Sequence, residues 1–354
     1  MNVFWQSGME KVRPGRWRVW AGVGFLLSIV FVALIIAGRT APESAEKIDD
    51  SRGKTSQELS GFSLSPKSFG AADYSAFFSD VAAHGNTLSW AGQYGDLSKT
   101  TGNAAKLVLA ESKKRDLTPV LIVGPGKGEV FDGIFQQSFR KTILDFIQSN
   151  TVPYLGLGNE IDALYDDSPA HYASLISTIE ALTTEIRQAS PNTKVFTVFQ
   201  LERTKGMRGG LFGGVNNPND TRWLLLSELE NLDFIAFTTY PCLTYKTPAE
   251  IPEEYYSDIR NHTNLPVAFT EIGWFRSTPV AGWESTEQEQ ADFINRFSEL
   301  TTRLDSQFVI WPFLYDQPVQ TPFANMGLLG VAQKQTLGLT AWDTYRRRNT
   351  TVTE

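Results

Sequence analysis

Two glutamates in this chain of 354 residues each close a short apolar run of the kind that becomes a buried strand. Residues 152–160, VPYLGLGNE, end on Asn159 and Glu160, and residues 265–274, LPVAFTEIGW, carry Glu271 between Thr270 and Ile272. Two carboxyl groups facing each other across one mouth can split a glycosidic bond with retention. One attacks the anomeric carbon while the other gives a proton to the leaving oxygen, at a separation of about 5–5.5 Å. Taken singly, a strand-end glutamate serves equally well as an ion-pair partner or a loop cap. The pair is what points to sugar chemistry.

Such a pair needs a scaffold that brings distant strand ends together. Apolar strand-like runs fall at 61–66, 86–92, 118–124, 152–158, 194–200, 233–240, 265–271 and 307–314. Helical patterns lie between them, among them DYSAFFSDVAAHG, KTILDFIQSN, HYASLISTIEALTTEIRQA and QEQADFINRFSELTTRL. Alternation of this kind predicts a parallel sheet, and eight units in a chain of this length fit an α/β fold, the closed (β/α)8 TIM barrel. An open doubly wound sheet is the competing arrangement. A barrel gathers its chemistry on the loops after the strands; by this count Glu160 ends strand four and Glu271 ends strand seven.

Over residues 61–347 the chain resembles the glycoside hydrolases of clan A. The resemblance rests on Asn159-Glu160, on Thr270-Glu271-Ile272-Gly273-Trp274, on Tyr240 in FTTYP after strand six, and on Trp311 in VIWPF on strand eight. The opening FSLSPKSF and the following LSWAGQY are similar to endo-β-1,4-galactanase and mannanase-like families. Two departures stand out: Ile161 follows Glu160 where many relatives carry proline, and Ser89 and Trp90 stand where an arginine is expected at the end of strand two. The resemblance implies Glu160 as acid/base and Glu271 as nucleophile. Glu160 then needs a pKa raised by partial burial and by the charge opposite, and a Tyr240 hydroxyl donating to Glu271 keeps that carboxylate ionised. Asn159 is expected on the sugar 2-hydroxyl. Trp90, Trp274 and Trp311 offer flat faces for a pyranose or, equally, core packing. Gln200 and Glu202 in VFQLE could bind a hydroxyl or belong to a solvated loop. Lys67 in SPKSF could reach substrate or lie on the surface with its stem packed.

Composition bounds the alternatives. The chain is 42% apolar and 20% charged with a net charge of −7, and its basic residues form no long face, which argues against nucleic acid. A single cysteine, Cys242, rules out an internal disulfide, and the scattered His84, His171 and His262 offer no zinc spacing. No metal or other cofactor is expected. Asp162, Asp166 and Asp167 hint at calcium but lack EF-hand spacing. GPGKG at 124–128 is neither of the phosphate-binding glycine loops and reads as the third loop of the rim, while KGMRGGLFGG at 205–214 reads equally as a long, mobile loop able to cover the cleft or as plain disorder.

The N-terminus is a different object. Residues 1–18 are basic and residues 19–38 are apolar and uncharged, about the ~20 residues a helix needs to cross a bilayer. Lys11, Arg13, Arg16 and Arg18 precede the run and Arg39 follows it, so a signal anchor with a cytoplasmic N-terminus and an outward-facing domain is expected. A cleaved signal peptide and a buried helix are the competing readings. Residues 39–60 read as a flexible linker, 61–347 as the barrel and 348–354 as a tail. The partners implied are a membrane and a poly- or oligosaccharide. Hydrolysis, transglycosylation at the cell surface and non-catalytic polysaccharide binding all remain open on these residues.

Overall fold

A computed structural model describes residues 59–348, apart from residues 69, 127, 279, 320–321 and 331–333. The expected membrane span at 19–38, with the basic segment before it, residues 39–58 of the linker and residues 349–354 of the tail, lies outside the described residues. Among the described residues no helix is long and apolar enough to cross a membrane.

Eight parallel strands close into a barrel in chain order, β1 (Leu59–Ser63), β2 (Thr87–Gln93), β3 (Thr118–Gly124), β4 (Tyr154–Leu157), β5 (Lys194–Gln200), β6 (Phe234–Thr239), β7 (Val267–Ile272) and β8 (Phe308–Trp311). Strand β1 begins at Leu59, so the ordered barrel takes up the last two residues expected of the linker. Helices α1 (Ala71–His84), α2 (Ala104–Arg115), α3 (Gly133–Ser149), α4 (Ile161–Asp167), α5 (Pro169–Ala189), α6 (Leu201–Thr204), α7 (Glu287–Thr301) and α8 (Leu337–Arg348) connect or surround the strands. Local chemistry starts them: the Asp132 carboxylate accepts from the amides of Ile134 and Phe135 at 2.9 Å to open α3, and Ser168 caps α5 with Pro169 at its first position.

The regular alternation fails in two places. Only the four-residue α6 follows β5, and residues 240–266 between β6 and β7 form short 3-10 turns. Pro241, Pro248 and Pro252 interrupt that second stretch, and each removes an amide that a longer helix would use.

Side chains alternate between two cores. Val120, Ile122, Phe196, Val198, Phe234 and Phe308 fill the barrel, with Phe196 stacked on Phe234 at 4.7 Å. The opposite faces of the same strands, such as Leu121, Phe199, Phe237 and Val309, pack against the helices. This inside-versus-outside assignment decides what can reach the mouth.

Candidate active site

Glu271 reaches the mouth only because β7 breaks its own alternation. Val267 and Phe269 face the helices and Ala268 faces the barrel, so strict alternation would turn Glu271 outward with Phe269. Ile272, three residues after Phe269, also faces the helices. The register explains this: Phe237 of β6 pairs with Phe269, but the next residue, Thr238, pairs with Glu271. Thr270 is one extra residue, a β-bulge, rare between parallel strands and commonest where a side chain must be re-aimed. It turns Glu271 to the inner face, the face that Phe234, Ala236 and hence Thr238 share.

Glu160 comes from the other side. It stands three residues beyond the end of β4, not at the strand end itself, in a turn that opens α4. Its backbone is left-handed, φ 49° and ψ 50°, one of three positive-φ residues other than glycine among the described residues. Such a conformation costs roughly 1–2 kcal/mol and clusters at functional sites. Gly158 before it has φ 90°, and a Cβ there would meet the Ile161 side chain at 2.4 Å. The turn therefore needs that glycine. Thr238 Oγ1 donates to Glu160 Oε1 at 2.7 Å while pairing through its backbone with Glu271, so one residue links the two carboxylates.

The Tyr240 hydroxyl donates to Glu271 Oε2. Burial, then the charge of Glu160, pushes Glu271 up to about 8, and the Tyr240 hydrogen bond opposes them. Burial and the Glu271 charge hold Tyr240 well above the usual tyrosine range, which keeps it a neutral donor. Sequence reasoning expected the acid/base to carry a raised pKa; Glu271, the expected nucleophile, carries one, because burial disfavours its charged form.

Tyr240 is itself held. The fully buried Glu202 accepts through Oε1 from Thr239 Oγ1 at 2.8 Å, the Tyr240 amide at 3.0 Å and the Tyr255 hydroxyl at 2.8 Å. It is a strut beneath the tip of β6 rather than a hydroxyl ligand or a solvated loop residue, and burial raises its pKa against those hydrogen bonds. Gln200, nearly buried, ends β5 on the inner face that Phe196 and Val198 share, and its amide donates to Asp162 Oδ1 at 3.0 Å. Burial, opposed by Arg203, pushes the buried Asp162 up to about 7. Asp166 accepts from Arg203 at 3.2 Å, Arg208 at 3.3 Å and Arg222 at 2.7 Å. Guanidinium groups occupy Asp162 and Asp166, two of the three aspartates that had hinted at calcium.

None of the three tryptophans expected to meet a sugar lies open to the mouth. Trp90 pairs with Leu121 on the helix-facing side of the sheet, where its ring lies over Gly92. Trp274 stacks on Phe293 of α7 at 5.4 Å and donates to Ser285 Oγ at 3.1 Å. Trp311, fully buried, donates to the Met326 carbonyl at 2.8 Å and packs on Trp342. All three are packing residues between barrel and helices. Lys67 is exposed, with its ammonium 4.5 Å from the centre of the Tyr315 ring. Asn159 is half-buried and its Oδ1 is buried without a hydrogen-bond partner. Ser89, where an arginine was expected, shares a 2.8 Å hydrogen bond with Ser63.

The rim loops are better tied than their glycine content suggests. In 205–214, Asn216 Oδ1 accepts from the amides of Arg208 at 3.0 Å and Gly209 at 2.7 Å, and the Gly214 amide donates back to the Arg208 carbonyl at 2.7 Å. These three hydrogen bonds tie the two ends of the turn together. In the loop after β3, Glu129 accepts from the Tyr94 hydroxyl at 3.1 Å. Thr238, Arg203 and Arg208 escaped the sequence reading; only the two-residue alternation Phe234, Ala236, Thr238 would have flagged the first.

This barrel is a fold shared with solved β-glycosidases. It is similar to an exo-β-1,4-mannosidase from Opitutaceae bacterium strain TAV5, with a TM-score of 0.60, 18% identity, and coverage of 83% of this chain and 60% of that one. A family 39 glycoside hydrolase from Bacteroides cellulosilyticus WH2 gives a TM-score of 0.57 at 16% identity, covering 82% of this chain and 63% of that one. A β-1,3-glucanosyltransferase from Rhizomucor miehei gives 0.56 at 14% identity, covering 80% and 96%. The chain thus spans less than two thirds of the mannosidase and of the family 39 enzyme. No family model matches the chain, and no curated protein sequence does. At these identities the likeness is one of fold.

Proposed function

We propose that the protein is a retaining glycoside hydrolase of the clan A type, acting on β-linked oligo- or polysaccharide, with Glu271 as nucleophile and Glu160 as acid/base. The observation that carries the reading is the bulge at Thr270, which turns Glu271 onto the inner face beside the residue that hydrogen-bonds Glu160. Retention requires an ionised nucleophile and a proton on the acid/base. Glu271, pushed up to about 8 by burial, must be ionised to attack, and positive charge developing at the anomeric carbon favours that form while the leaving oxygen accepts from Glu160.

In the first step the Glu271 carboxylate bonds to the anomeric carbon, the bond to the leaving oxygen breaks, and that oxygen takes the Glu160 proton. In the second, water gives its proton to Glu160 and displaces Glu271. Asn159, whose Oδ1 has no partner of its own, is placed beside the acid/base for a sugar hydroxyl. The apolar run at 19–38 and the basic residues before it support a signal anchor that holds the barrel outside the membrane.

The test is chemical rescue. Glu271→Ala should lose turnover and regain it with azide, giving the α-glycosyl azide from a β-linked substrate, and Glu160→Gln should slow substrates with poor leaving groups far more than activated aryl glycosides. Absence of rescue on a substrate the parent cleaves would count against Glu271 as nucleophile. A second reading, transfer of the glycosyl group to another sugar, draws support from the likeness to the glucanosyltransferase across most of both chains; products formed with an added acceptor sugar separate the two.

A further inference from the structure

A cavity of about 290 Å³ opens at the end of β5, lined by Gln200, Arg203, Met207, Arg208, Phe212 and Gly214. It adjoins the layer that carries the two carboxyls. Gln200 pairs with Thr238 in the β5–β6 register and Thr238 with Glu271 in the β6–β7 register. The three therefore stand side by side on the inner face, where the Thr238 hydroxyl also holds Glu160. Strand β5 neighbours β4, the strand that leads into Glu160. If Glu160 protonates the leaving oxygen, the leaving group lies on this side.

The guanidinium groups of the cavity wall are already matched. Asp166 accepts from Arg203, Arg208 and Arg222, Asp220 pairs with Arg222 at 2.5 Å, and Asp162 lies 3.4 Å from Arg203 Nε. Three carboxylates thus face three guanidinium groups, and the Glu160 charge acts on Arg203 as well. Gln200 differs from both arginines of the lining. It is 7% exposed, its backbone amide donates to Asp162, and its side-chain amide makes no hydrogen bond with any described residue. Burying an amide without a partner is costly. One left open to a cavity, in the same layer as the two carboxyls, is a group kept for a ligand.

We infer that this cavity is the leaving-group subsite, that it takes an uncharged sugar, and that Gln200 selects this sugar by hydrogen-bonding one of its hydroxyls while Phe212 offers the ring an apolar face. The inference rests on Glu160 as acid/base. An amide both donates to and accepts from a hydroxyl. A carboxylate or sulfate on the sugar would instead join Asp162, Asp166, Asp220 and Glu160, with no guanidinium left over among the described residues to meet it.

The full chain, trapped as its 2-fluoroglycosyl ester on Glu271, reports on this subsite directly. An acceptor hydroxyl attacks the anomeric carbon, gives its proton to Glu160 and frees the Glu271 carboxylate, so the rate of release measures how well the acceptor sits. Phenyl β-glucoside, β-galactoside and β-mannoside are tried first, and the best is compared with its monodeoxy analogues and with its uronide. At least one of the three should release the ester tenfold or more faster than water. Removing the hydroxyl that Gln200 holds should slow release about tenfold in the parent and make no difference in Gln200→Met, which keeps the bulk of the side chain without its amide. Removing the attacking hydroxyl abolishes release in both, which tells the two hydroxyls apart. The uronide should release the ester no faster than the neutral sugar. Gln200→Ala is the second variant, and labelling of Glu271 in either shows that it folds. Equal deoxy penalties in parent and variants, or loss of labelling in both variants, overturn the role of Gln200. Release no faster than water with all three sugars overturns the subsite, and a uronide tenfold faster than the neutral sugar overturns its uncharged occupant. Each of these leaves the glycosidase standing, since the ester had formed in the parent. Failure of any 2-fluoroglycoside in a broad panel to label Glu271 in the parent overturns both.

Discussion

Replacing Glu271 by glutamine should make the protein more stable, and only at neutral to alkaline pH. The Glu271 carboxyl releases its proton near 4.5 when unfolded and at about 8 when folded. Between those values the folded chain holds a proton that the unfolded chain has lost, so stability falls as pH rises. The contribution is whole below 4.5 and gone above about 8. At about 1.4 kcal/mol per pH unit, the window corresponds to roughly 5 kcal/mol. Water at the exposed edge of this half-buried group screens part of it, leaving about 2 kcal/mol or more. Glutamine keeps the shape and accepts from Tyr240 without a charge to bury. The difference between variant and parent should be near zero at pH 5 and reach about 2 kcal/mol by pH 9, or about 4 °C in Tm for a domain of this size. Asp162 and Glu202, also raised by burial, act equally in both proteins and drop out of the difference. Thermal unfolding in steps from pH 5 to 9 measures it, and parallel curves for the two proteins would show that Glu271 carries no such penalty. The gain in stability on losing a reactive group is the trade expected where a site holds strained electrostatics.

Tyr240→Phe removes the hydrogen bond that opposes protonation of Glu271; a bond to a charged group contributes about 1.5–3 kcal/mol, so the acid limb of the kcat/KM profile should move up by about one pH unit or more, and an unmoved limb would dissociate Tyr240 from Glu271. Glu202→Ala strands three buried donors, one of them the Tyr240 amide, and should cost about 3 kcal/mol or more in urea unfolding, with Glu202→Gln recovering most of it by keeping an acceptor. Trp311→Ala should cost about 3–5 kcal/mol of stability through the cavity it leaves, while Trp311→Phe should leave KM unchanged; a KM raised tenfold by the phenylalanine would restore Trp311 as a substrate contact.

Strands β3 and β5 were legible residue for residue, because each centres on apolar β-formers, VLIV in one and VF on either side of Thr197 in the other, and ends on polar or turn-forming residues. β4 and β8 came out shorter than their apolar runs, since Pro153 and Pro312 sit at their edges and cannot donate to a ladder. The carboxylate pair was legible because its two strands were. The helix expected between β6 and β7 was not, for the prolines there leave apolar residues in turns that bury them just as well: Ile251, Tyr255, Tyr256 and Ile259 are all buried without a long helix.

What a sequence pattern reports is burial, and in a barrel burial has two faces. Trp90 and Trp311 stand in their strands and Trp274 just after its own, as sugar platforms would, yet all three lie in the layer between barrel and helices. Thr270 makes the converse case. The alternation of Val267, Ala268 and Phe269 would send Glu271 among the helices, and nothing in its side chain marks Thr270 as surplus. The shift is recorded only in the backbone pairing, where Phe237 meets Phe269 and Thr238 meets Glu271. One inserted residue therefore converts a helix-facing position into a mouth-facing one, while Ile272 beyond it returns to the outer core. The chemistry of this site depends on that irregularity as much as on the glutamate it re-aims.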